Sequence, residues 1–213
     1  MVELIPAILP KSLAELEQGL ERLRGITPLV QVDLVGINIL AGHTAMPLWE
    51  EFDFEFDIML PDPRAAMQSC IDLGASRVVV HTAAETAREA VEFLQPMREG
   101  EFAVAVGVSM RAHSAPEELE RFAGLYDYVQ VMGIDHEGKQ GQPPDPHGRE
   151  LELIKALRAQ FPDMVIQVDG AVAPHITELV QAGANRLVVG SAIVSADNPT
   201  AVYKALYTEA NVE

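Results

Sequence analysis

Asp33 and Asp169 each stand at or near the end of an otherwise apolar, strand-like run, over residues 28–35 and 164–168. A carboxylate placed there is costly unless it meets solvent, a ligand or a partner. Two carboxylates facing across a pocket can remove a proton from one face of a carbon and return it on the other. The alternative for either is solvation, or satisfaction by backbone N–H groups. Beside Asp169 lies a second constellation. The run 164–168 stops at Asp169-Gly170, Arg186–Val189 stops at Gly190-Ser191, and each is followed by a helix-like segment. Backbone N–H groups of glycine-rich turns opening onto helices make a ready phosphate site, with Gly170, Ala171, Gly190 and Ser191 as candidates. Any one of these glycines alone reads as an ordinary tight turn. Their pairing points to a ligand.

The elements that must position these groups alternate along the whole chain. Strands are expected over 4–9, 28–35, 54–60, 77–80, 102–108, Tyr128–Met132, 164–168 and Arg186–Val189. Between them lie helical patterns: Leu13, Leu16, Leu20 and Leu23 after Ser12 and Glu15; Ala66, Met67, Cys70 and Leu73 after Pro63; Ala87, Ala90, Val91 and Leu94. Ser114 with Glu117 resembles a capping box ahead of Leu119 and Phe122, and Leu151, Ile154 and Leu157 mark the next helix. Pro174 opens a helix that Gly183 closes, and a last helix covers 200–207. Leu48, Trp49 and Phe52 read as packing between elements. The stretch 133–146, GIDHEGKQGQPPDP, is too rich in glycine, proline and polar residues for regular structure and reads as a mobile active-site loop. About eight strand-helix alternations predict one domain over 1–213, a single (β/α)8 TIM barrel whose strand C-termini share one face. Gln31 and Asp33 fall on the same side of their strand, as do Asp57 and Met59, while His81 and Met132 end theirs.

Composition narrows the ligand. The 213 residues suffice for one large core, and the formal net charge of −17 argues against a nucleic-acid or anionic-membrane surface. An anion must then be held mainly by backbone N–H groups and helix N-termini, which suits a small phosphoester. Cys70 is the single cysteine, so no intrachain disulfide forms, and its apolar neighbours suggest a buried structural thiol. No leader precedes Ile5 and no apolar run reaches spanning length, so a cytoplasmic protein is expected.

Across nearly its full length the chain resembles the ribulose-phosphate 3-epimerase family of the ribulose-phosphate-binding barrel superfamily. The matching residues are Pro6-Ala7-Ile8-Leu9, Val32-Asp33, Asp57 to Leu60, Gly74-Ala75 leading to Val80-His81, Val131-Met132, Gly141-Gln142, Val168-Asp169-Gly170, and Gly183-Ala184 leading to Gly190-Ser191-Ala192-Ile193. The resemblance implies a pentose-phosphate epimerase in which Asp33 and Asp169 are the acid/base pair. Gly141, Gly170, Ala171, Gly190 and Ser191 would hold the phosphate of a small sugar. Gln31, Met59, His81 and Met132 become further pocket candidates. The family also implies a divalent metal (Zn, Fe, Mn or Co), with Asp33 and Asp169 among its ligands.

The departures fall where that chemistry would be. Gln31 and Met59 stand where the family has metal-binding histidines, Ala7 replaces a serine, and Ala171 replaces a glycine. Val35-Gly36-Ile37 replaces methionine-aspartate-glycine, and Asp135-His136-Glu137 replaces asparagine-proline-glycine. A glutamine oxygen is a weak zinc ligand and a thioether suits softer ions, so a substitute would have to come from His81, His43 or His136. Asp57 and Asp62 match two aspartates of the related decarboxylases' D-x-K-x-x-D pattern, but Met59 replaces the lysine and removes the acid. The expectation is a divergent sugar-phosphate epimerase. The alternatives are a catalytically impaired barrel that binds a phosphometabolite, and an isomerase of another phosphosugar. Association into a homo-oligomer through the helices is left open.

Overall fold

The computed structural model describes residues 1–36, 45–139 and 141–212. Its strands are β1 Glu3–Ile8, β2 Leu29–Leu34, β3 Asp53–Ile58, β4 Ala75–His81, β5 Ala105–Arg111, β6 Tyr128–Met132, β7 Val165–Asp169 and β8 Arg186–Val189. They pair in sequence order, all parallel, and β8 pairs back onto β1 to close a barrel. The α-helices are α1 Leu13–Leu23, α2 Met67–Asp72, α3 Ala87–Leu94, α4 Arg149–Gln160, α5 Ile176–Ala182, α6 Ser191–Val194 and α7 Pro199–Ala210. The single (β/α)8 barrel expected from the alternation is the observed fold. Among the described residues, no helix is long and apolar enough to cross a membrane.

Barrel strands buried on both faces usually read as continuous apolar runs. β4 and β8 do so, but β2, β3, β6 and β7 alternate instead, because the two faces meet different surroundings. Val30, Val32 and Leu34 of β2 and Phe54, Phe56 and Ile58 of β3 point outward into the layer shared with the helices, where all are buried. The other face of the same strands presents Gln31, Asp33, Glu55 and Asp57 to the interior, also buried. His81, Ser109, Gln130, Gln167 and Asp169 join them. Ile5, Ala7, Leu29 and Val188 form a separate small apolar cluster. Register places Asp33 beside Asp57 and Gln31 beside Glu55, so the polar side chains lie in layers. Gly107 makes room for the buried Tyr128, since a Cβ there would stand 2.5 Å from its ring. At the N-terminal end, Glu3 bridges Arg77 at 3.1 Å and Arg186 at 2.9 Å.

Several boundaries and contacts differ from expectation. β5 starts at Ala105, not residue 102, and Phe102 is exposed. Val104, Val106, Val108 and Met110 carry the buried alternation, so the strand runs on to Arg111. Ser114 makes no capping box. Pro116–Phe122 is a 3-10 helix begun by a proline, and it has no side-chain cap bond. Ser12 does cap α1, accepting from the Glu15 N–H at 3.2 Å, while Glu15 accepts from the Lys11 N–H. Phe52 is buried, but Trp49 is 62% exposed among the described residues. Cys70 is fully buried on α2, and burial pushes its thiol up to about 12, as a structural cysteine requires.

Candidate active site

A cavity of about 250 Å³ opens at the C-terminal ends of the strands. Asp33, Asp169, Met59, Met132, Gly141, Gly170, Ala171, Gly190 and Ser191 all line it. The pattern that brings them there is simple: each strand ends its apolar outward alternation at the top of the barrel, and the next inward residue or turn meets the opening. Gly170 has φ 96° and Ala171 φ 52°. A Cβ on Gly170 would stand 2.7 Å from Ile134, so loop packing as well as dihedral angle selects glycine there.

Gln31 and His81, also expected at the pocket, are absent from its wall. Gln31 lies one layer below Asp33 and is fully buried. Its Nε2 donates to Asp33 Oδ1 at 2.8 Å and to Asp169 Oδ2 at 3.1 Å, joining the two carboxylates through one amide. His81 is roofed by the loop after β6: its Nε2 lies 2.8 Å from Asp57 Oδ1, and its Nδ1 lies 3.5 Å from Glu137 Oε1. Glu137 also accepts from Arg111 Nε at 3.0 Å. His136 sits in the same loop, where its carbonyl accepts from Gln142 Nε2. His43 lies outside the described residues.

Sequence reasoning passed over the support beneath the pocket. Asp57 accepts from Gln130 Nε2 at 2.8 Å, and Glu55 accepts from Tyr128 OH at 2.8 Å and Gln167 Nε2 at 2.7 Å. The signal was present: DFEFDI, YVQVM and VIQVD repeat the two-residue spacing of Gln31 and Asp33. Positive charge is sparse, as composition implied, but Lys139 lines the cavity, together with Gln142 and Ile134. No periodicity marks a lysine in an irregular loop.

Burial and crowding make these carboxylates release their protons less readily than usual. Burial, then the charges of Asp169 and Asp57, raise Asp33 well above the usual carboxylate range. Burial and the Asp57 charge push Asp169 up to about 7, opposed by its hydrogen bond from Gln31. Burial favours a neutral His81 ring, but Asp57 and then Glu137 outweigh it and push His81 up to about 10. Glu137 is held down at about 2 by its bond from His81, against burial, with help from Arg111.

One oxygen each from Asp33, Asp57 and Asp169 come within 4.8 Å of one another, which a hard cation could in principle use. The donors around them do not suit the family's ion. An amide N–H2 group already joins Asp33 to Asp169, both Asp57 oxygens are taken by His81 and Gln130, and Met59 offers only a thioether. The residues present therefore do not fit a zinc-like ion held by imidazoles.

Comparison with known proteins agrees with this architecture. The sequence model of the Ribulose-phosphate 3 epimerase family matches residues 6–194. Ribulose-phosphate 3-epimerase of Schizosaccharomyces pombe is 26% identical over 216 residues, covering 96% of this chain and 92% of the relative. The cytoplasmic isoform of Oryza sativa subsp. japonica is 30% identical over 154 residues, covering 70% and 64%. KGPDC from Streptococcus mutans superimposes with a TM-score of 0.70 at 14% identity, covering 99% of this chain and 97% of that one, a likeness of fold. With the family match running from β1 into α6, the chain belongs to the ribulose-phosphate 3-epimerase family.

Proposed function

We propose that the protein is a sugar-phosphate epimerase that moves a proton at a carbon beside a ketone. The observation that carries this is the pairing of Asp33 and Asp169 in the lining of one cavity, joined by a single amide and accompanied there by Gly170 and Gly190. Two carboxylates so crowded favour a state in which one is ionised and the other protonated, which is what exchange between opposite faces needs. The ionised carboxylate takes the proton as the C–H bond breaks, and the bonding pair moves into an enediolate. The protonated partner then delivers its proton to the other face, so the pair ends with its roles exchanged. The N–H groups of the turns after β7 and β8 are the phosphate grip.

Asp33→Asn and Asp169→Asn should each slow epimerisation of ribulose phosphate by about 10²- to 10⁴-fold, the range for a positioned acid or base. Unchanged epimerisation in either variant removes that residue from the mechanism. Lys139 at the cavity favours a second reading, an isomerase acting on another phosphosugar. A panel of phosphorylated ketoses in the same assay separates the two. Heat protection by a phosphosugar without exchange would instead mark a barrel that only binds.

A further inference from the structure

We propose that the Gln31 amide takes the structural place of a divalent cation in this barrel, so that Asp33 and Asp169 work as a metal-independent pair. The kinetic part rests on the epimerase reading above; the structural part does not. A cation between two carboxylates does two things: it holds them together, and it offsets their repulsion. The Gln31 Nε2 group does the first with its two N–H bonds, one to each carboxylate, at 2.8 and 3.1 Å. Both of its donors are used.

The amide cannot simply turn over and offer its oxygen to an ion. Gln31 Oε1 faces Gln167 Nε2 at 3.3 Å, a nitrogen whose nearer acceptors are Glu55 Oε1 at 2.7 Å and Gln130 Oε1 at 2.8 Å. Glu55 accepts from the Tyr128 hydroxyl with its other oxygen. The polarity is thus set from below: Glu55 and Gln130 hold the Gln167 nitrogen upward, and that donor facing Gln31 Oε1 favours the Gln31 nitrogen toward the aspartates. Turning Gln31 would set its oxygen against two carboxylates and its N–H2 against another N–H2, leaving buried groups unpaired. Gln130 repeats the arrangement by directing its nitrogen at Asp57, 2.8 Å away. Met59, on the cavity wall, supplies no hard ligand to compensate.

The test is uptake of Zn²⁺, Mn²⁺ and Co²⁺ by the chelator-treated protein, followed by calorimetry and elemental analysis, beside proton exchange with and without chelator. Expected are no uptake that depends on Asp33, and exchange unaffected by chelator. The double variant Gln31→His with Met59→His should take up about one equivalent of Zn²⁺, since two imidazoles and two carboxylates complete a four-ligand set. Gln31→Met keeps the bulk but loses both donors. It should lower kcat about ten- to a hundredfold with KM little changed, because the phosphate turns are untouched. A merely structural role would not give that split.

Stoichiometric metal in the wild type that Asp33→Asn abolishes overturns the proposal, as does exchange lost to chelator and restored by a divalent ion. Should the double variant not fold, uptake by the wild type against Asp33→Asn decides alone. If no phosphosugar exchanges its proton, the epimerase reading fails while uptake still judges Gln31.

Discussion

Ala171 stands in the turn after β7 in a left-handed conformation, φ 52°, that costs a residue with a Cβ roughly 1–2 kcal/mol. Glycine avoids that cost but loses about 0.5–1 kcal/mol more backbone entropy on folding. Ala171→Gly should therefore raise stability by up to about 1 kcal/mol, read as a higher urea midpoint with an unchanged slope. A lower midpoint would mean that the methyl makes contacts worth more than the strain. At this scale much was legible. Both aspartates and the four turn residues were readable from strand ends and glycine spacing, and all line the cavity. The partners Asp57, Gln130 and Gln167 had the right period, but a polar residue inside a strand gives no sign of which distant strand will pair with it.

The loop after β6 shows the limit at the scale of elements. Its composition announced irregular structure, and Gly141 lines the cavity. Nothing local announced that Glu137 reaches back to His81 at the end of β4 and to Arg111 at the end of β5. That clamp ties the segment carrying Lys139, Gly141 and Gln142 to the rigid barrel. Glu137→Gln should raise KM for the phosphorylated substrate about tenfold with a smaller effect on kcat, the scale of a weakened charge-assisted bond. Its pH dependence has a defined sign. Glu137 is depressed from 4.5 to about 2, so its contribution to stability is full above pH 4.5 and is lost as pH falls through about 2. The stability difference between wild type and Glu137→Gln, measured by urea unfolding, should shrink across that window. A difference independent of pH would remove the ion pair as its source.

For the molecule as a whole, barrel closure followed from the count of alternations, and the two faces of each strand followed from their period. The shift of β5 arose because Phe102 looks like a strand residue by type, whereas the buried alternation begins at Val104 and runs to Met110. Outside, the helices and strands share an apolar layer; inside, hydrogen bonds among Gln31, Glu55, Gln130 and Gln167 hold the barrel together. That division leaves two carboxylates, Asp33 and Asp169, among the groups at the open end.

The carboxylates at that opening also govern how a ligand arrives. An incoming phosphate dianion meets a chain with a net charge of −17 and a mouth bearing Asp33 and Asp169, with Lys139 as the cation among the described lining residues. Encounter is then opposed by long-range repulsion, the reverse of the steering that speeds many enzymes. Raising ionic strength from about 10 to about 150 mM shortens the screening length from roughly 30 to 8 Å and should increase kcat/KM. Lys139→Gln should steepen that rise. A rate that falls with salt would show that the field felt by the phosphate is positive, and that the mouth draws its ligand in despite the charge of the whole.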